Sequence, residues 1–99
     1  MQSKDDILDY LRKNKPLFQQ NFHVKRIGLI GSFSRDEQHK ESDIDLIAEF
    51  EPGTKDLYLL KARLRRMMEK QFERKVEICR EKYLKPYYRK RILKDAIYV

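Results

Sequence analysis

The sequence predicts a small α/β (α+β) fold, a mixed β-sheet flanked by helices. Three observations carry that expectation. Apolar residues recur at a spacing of three and four in some segments and alternate in others, so helical and strand periods are both present. The two kinds interleave along the chain as helix, strand, short helix, strand, helix, strand, helix, which favours helices covering a sheet. Chain-breaking residues fall between the segments, at Gly31, Pro52-Gly53 and Pro86.

Taken in order, Ser3-Lys4-Asp5-Asp6 resembles a capping box that opens the first helix. Ile7, Leu8 and Leu11 then share one helical face, and Asn14 and Pro16 end that pattern. Leu17, Phe18 and Phe22 carry the core through an irregular or helical stretch. Residues 24–30 hold Val24, Ile27, Leu29 and Ile30 and stop at Gly31, as a short buried strand does. The polar stretch 32–38 leaves room for about two helical turns. Residues 42–50 alternate, with Asp43 and Asp45 on one face and Ile44 and Leu46 on the other. Thr54 is placed to cap the next helix. Leu57, Leu60, Leu64, Met67 or Met68, and Phe72 form its core stripe. Val76 and Ile78 alternate with Glu77 in a further strand, and Pro86 suits the first turn of a last helix whose face carries Tyr88, Ile92, Leu93 and Ala96. Residues 97–99 fit either a short terminal strand or a docking tail.

A chain of 99 residues suits one domain spanning 1–99, with no room for a separate substrate domain. A large substrate must then be gripped by a partner chain or a second copy. The apolar share of 40% builds one modest core, and the charged share of 39% a heavily solvated surface. Cys79 stands alone, and no Cys/His set has zinc spacing. The polar, acidic start at residues 1–6 is wrong for a signal peptide, and no apolar run approaches the roughly 20 residues of a membrane helix. A reducing, cytoplasmic setting is the default expectation. The net charge of +7 is unevenly spread. Residues 36–56 carry eight acids against two bases, whereas 61–75 and 80–95 each carry seven bases against two acids. An acidic centre between basic flanks suits a cation and a polyanion bound together; solvated helix faces account for the flanks equally well.

The candidate chemistry lies in three places. At Gly31-Ser32 a strand ends in a glycine that lets the backbone approach closely, followed by a hydroxyl and a helix start, an arrangement that receives an anion. Asp43 and Asp45, two apart on a strand, put their carboxylates on the same side, roughly 6 to 7 Å apart. Hard oxygen donors of this kind suit Mg²⁺, which keeps waters and substrate phosphates as its other ligands. Glu77 on a neighbouring strand supplies a third carboxylate, enough for two Mg²⁺ ions or for taking a proton from an attacking hydroxyl. His23 and His39 lack partners at ligand spacing and read as structural or surface residues. Ser34 and Ser42 fit either a phosphate contact or a backbone cap.

Together, Gly31-Ser32-Phe33-Ser34-Arg35 and Ser42-Asp43-Ile44-Asp45-Leu46 resemble the signature of the DNA-polymerase-β-like nucleotidyltransferase superfamily, and most closely its minimal, MNT-type members. Arg74-Lys75-Val76-Glu77 is similar to the strand carrying their third acid, and the resemblance covers roughly residues 24–99. It implies a nucleotidyltransferase fold, ATP as substrate, and Mg²⁺, as two ions. It further implies transfer of AMP to a hydroxyl with release of pyrophosphate. Many of the smallest members are antitoxins that adenylylate a tyrosine of a HEPN-type toxin. Residue by residue, Gly31, Ser32 and Ser42 would contact the triphosphate, Asp43, Asp45 and Glu77 would hold metal and carry catalysis, and Arg35 would be the signature arginine, in a phosphate contact or a structural ion pair. Two positions depart from the pattern: Asp36 stands where glycine is usual, and Glu77 where aspartate is usual. Those departures favour a second reading, an antitoxin that neutralises its partner by binding alone. A third is a basic nucleic-acid-binding module, since Tyr83, Tyr87 and Tyr88 lie among lysines and arginines.

Overall fold

The computed structural model describes residues 2–99. Helix α1 (Lys4–Lys13) opens on the expected capping box: the Ser3 hydroxyl accepts the Asp6 N–H at 3.1 Å, and the Asp6 carboxylate accepts the Ser3 N–H at 3.0 Å. Ile7, Leu8 and Leu11 are its buried face. Asn14 separates it from α2 (Lys15–Phe22), which buries Phe18 and has a proline in its first turn. Both helices therefore offer one apolar face, and a sheet receives it.

That sheet has four strands in the order β3-β2-β1-β4, formed by β1 (Val24–Ile30), β2 (Ile44–Phe50), β3 (Val76–Arg80) and β4 (Ile97–Tyr98). β1 pairs antiparallel with β2 and β4, and β2 pairs parallel with β3. A parallel neighbour needs a crossover, and α4 (Leu57–Phe72) provides it. Leu64, Met68 and Phe72 of α4 pack with Ile44, Leu46, Ala48, Val76 and Ile78 from the sheet, so the core lies between the helices and one sheet face. Ile97 and Tyr98 form the strand rather than a free tail, and the Val99 N–H donates to the Ile27 carbonyl at 3.1 Å. A side chain at Gly28 would stand 2.9 Å from the Ile97 carbonyl, so the bare backbone at this position admits β4.

Four local expectations need correction. The polar stretch after Gly31 forms a single helical turn, α3 (Gly31–Ser34), because Asp36 turns to a φ of 55° and stops it. The second strand begins at Ile44, leaving Ser42 and Asp43 in the loop before it. Thr54 does not cap α4: its hydroxyl donates to the Glu51 carbonyl, and Asp56 precedes the helix without a side-chain cap. The last helix, α5 (Pro86–Lys94), starts at Pro86 as expected, but none of its residues is buried.

Candidate active site

The register of the sheet assembles the site. Asp45 is opposite Ile30, the last residue of β1 before Gly31, and on its other side opposite Glu77 of β3. Three segments far apart in sequence thus meet around one carboxylate. Gly31 has a φ of +74°, and a Cβ there would lie 2.5 Å from Asp45 Oδ2. Only glycine satisfies both the left-handed backbone and the contact. The Ser34 hydroxyl donates to the Gly31 carbonyl at 2.7 Å and fixes the turn.

Asp45 is half-buried, and its carboxyl is pushed above the usual range, first by burial and then by the negative charges of Glu77 and Asp43; Arg35 acts in the opposite direction. A carboxylate pushed that way by two neighbours is what a cation would relieve. The donors are all hard oxygens, which fits Mg²⁺. The three carboxylates do not already converge: among the described residues no three Asp, Glu, His or Cys side chains stand close enough to hold an ion. Glu77 instead reaches toward Lys75, 3.6 Å away, with its side chain 59% exposed.

A cleft of about 520 Å³ opens over this place, and Gly31, Arg35, Asp45 and Glu77 all line it. Ser32, Ser42 and Asp43 do not line it. Ser42 is buried and its hydroxyl accepts the His39 N–H at 2.9 Å, so it shapes the loop that leads into Asp43. Arg35 reaches Glu37 at 3.1 Å on the surface while bordering the cleft. Asp36 adopts the left-handed conformation that glycine would take and pairs with Lys4 at 2.9 Å. Aspartate tolerates that conformation, so the turn survives the departure from the usual glycine.

Sequence reasoning missed two contributions. Lys61 and Arg65 of α4 line the cleft with Ala62 between them and Tyr58 at its lip. The basic run was visible, but not which of its residues face inward; the i, i+3, i+4, i+7 spacing from Tyr58 was the available signal. Arg74 was read only as part of a strand motif. It donates to the carbonyls of Lys40 and Ser42, at 3.0 and 2.6 Å, and so ties down the loop before Asp43.

A model of the nucleotidyltransferase domain matches residues 7–99. A Methanocaldococcus jannaschii protein named as a protein adenylyltransferase is 36% identical over 100 residues, covering 100% of both chains. A solved structure described as a minimal nucleotidyltransferase superposes with a TM-score of 0.79 at 28% identity, covering 97% of this chain and 95% of that one. A toxin–antitoxin structure with AMP-PNP superposes with a TM-score of 0.66 at 18% identity, covering 98% of this chain and 72% of that one, a likeness of fold.

Proposed function

The chain belongs to the nucleotidyltransferase domain family, and from that premise we propose that it is an antitoxin enzyme that transfers AMP from ATP to a tyrosine hydroxyl of a HEPN-type toxin. The observation that carries this reading is the placing of Asp45 between the Gly31 turn and Glu77, on the floor of a cleft large enough for a nucleotide. The name of the M. jannaschii relative supports protein adenylylation, and the fold shared with a toxin–antitoxin structure supports the partner class.

Asp43, Asp45 and Glu77 are the residues that would hold Mg²⁺. When bound, the ion offsets charge on the phosphates and on the leaving pyrophosphate. The chain itself then has few tasks, because phosphoryl-type transfer rests on positioning and electrostatics. The Gly31-Ser32 turn brings backbone N–H groups against the triphosphate. Asp45, fixed by two neighbouring strands, sets the position of the α-phosphate relative to the acceptor. The acceptor oxygen bonds to the α-phosphorus while the bond to the bridging oxygen of pyrophosphate breaks, and Glu77 accepts the hydroxyl proton.

The test incubates the protein with α-labelled ATP, Mg²⁺ and a candidate HEPN-type partner, beside Asp45→Asn. Label on a partner tyrosine with wild type and none with the variant is the expected result. A stable complex without label would instead establish neutralisation by binding, the reading favoured by the outward turn of Glu77 toward Lys75.

A further inference from the structure

The cleft carries more positive charge than its carboxylate floor consumes. Lys61 and Arg65 stand four residues apart on one face of α4, and both line the cavity that Asp45 and Glu77 line. Among the described residues neither cation lies within 4.0 Å of a carboxylate, although the site holds two. Cations and anions here border one space and stop short of each other. Such separation costs Coulomb energy unless something charged fits between.

We propose that Lys61 and Arg65 form an anion-binding wall that receives the phosphate chain of the nucleotide, an inference that rests on the adenylyltransferase reading. A polyphosphate laid on Asp45 and Glu77 alone would be repelled even after metal binding. A second cationic surface bordering the same space offsets the remaining charge. The two side chains suit different tasks: lysine is a compact point charge, and the arginine fork donates two parallel hydrogen bonds to phosphate oxygens. Ala62 between them is small, which leaves room for the phosphates to approach the helix. The cleft is correspondingly polarised. Its cations are Arg35, Lys61 and Arg65, its carboxylates are Asp45 and Glu77, and Ile30, Ile78 and Ile92 supply apolar surface for the rest of the nucleotide.

The experiment is calorimetric titration, with Mg²⁺ present, of ATP, inorganic tripolyphosphate and AMP into wild type, Lys61→Ala, Arg65→Ala, Arg65→Lys and Arg63→Ala. Arg63 is exposed, sits on the same helix and is absent from the cleft lining, so it controls for loss of net charge. Each alanine variant at the wall should weaken ATP and tripolyphosphate about ten- to hundredfold, the loss of one charge-assisted contact. AMP should change far less, Arg65→Lys should recover part of the loss, and Arg63→Ala should match wild type. Unchanged affinities, or equal losses for all three ligands, would overturn the wall while leaving the enzyme reading intact. Unaltered nucleotide binding with loss of the toxin partner would reassign the two cations to docking. Absence of ATP binding by wild type would instead bring down the adenylyltransferase reading, and the wall with it.

Discussion

Asp45 and Glu49 lie four residues apart on the same face of β2, and Glu77 and Glu81 repeat that spacing on β3 and just beyond it. The two ends of the sheet treat these carboxylates in opposite ways. At the far end both glutamates are answered by cations. Glu81 accepts from Arg26 at 2.7 Å, from Arg89 at 3.0 Å and from the Tyr98 hydroxyl at 3.1 Å, while Glu49 meets Arg80 at 3.4 Å. A second groove of about 570 Å³ lies there, and Arg26, Glu49, Arg80, Glu81 and Arg89 are part of its lining. At the cleft end Asp45 has no ion pair among the described residues, and Glu77 has only a loose, exposed one. Carboxylates at the same spacing are thus tied into ion pairs in one place and left largely unpaired in the other. Compensation, rather than charge itself, separates the two.

The sharpest way to break this comparison is Asp45→Asn. Transfer should fall at least about a thousandfold, in line with losing a charged group at a phosphoryl centre, yet the metal-free protein should melt higher, since a disfavoured carboxylate is gone. A lower melting temperature would place Asp45 with the structural carboxylates. Gly31→Ala should cost about 1–3 kcal/mol through its left-handed backbone and its collision with the Asp45 carboxylate, and should abolish activity as well; chemical denaturation and label transfer check both. Glu81→Gln is the mirror case. It should cost about 1–2 kcal/mol, reduced because Arg26 and Arg89 are half-exposed, with transfer unchanged.

A pH series sharpens the contrast further. The folded pKa of Asp45 lies above its ordinary value of 3.8, so the folded state holds that proton more tightly than the unfolded chain. This contribution to stability is fully present below pH 3.8 and is lost as pH rises through the raised folded value. Melting curves of wild type and Asp45→Asn without metal should therefore diverge as pH climbs through that window and run together below it. The smallest expected effect belongs to Tyr98→Phe, which removes one of three donors to Glu81 and should cost under about 1 kcal/mol.

Much of this was legible in the sequence. Period and punctuation located the three main strands and the long helix, because Ile44, Leu46, Val76 and Ile78 have to face a core that Leu64, Met68 and Phe72 also face. The Gly31 turn and the acids Asp43 and Asp45 were visible as local patterns, although Asp43 proves to lie in the loop before the strand. Glu77 was expected on a neighbouring strand, but the full sheet order and the register that sets it opposite Asp45 were not legible, since they join residues separated by a whole crossover helix. Nor was the inward face of the basic run: Lys61 and Arg65 differ from Arg63 and Arg66 only in where packing turns the helix. The Asp36 turn was hidden for another reason. A left-handed aspartate looks like a departure from glycine until its φ of 55° is known.

Helix α5 buries none of its residues, yet its Ile92 forms one wall of the cleft. Segments with so little buried surface open at a free energy far below that of global unfolding. Amide exchange along 86–94 should accordingly outpace exchange in the β1–β2 pair by orders of magnitude. The cleft thus has one side made by the sheet and another made by a helix that holds few contacts of its own, which that exchange contrast would register. For the adenylyltransferase proposed above, that exposed helix is the side from which an acceptor side chain would reach the cleft.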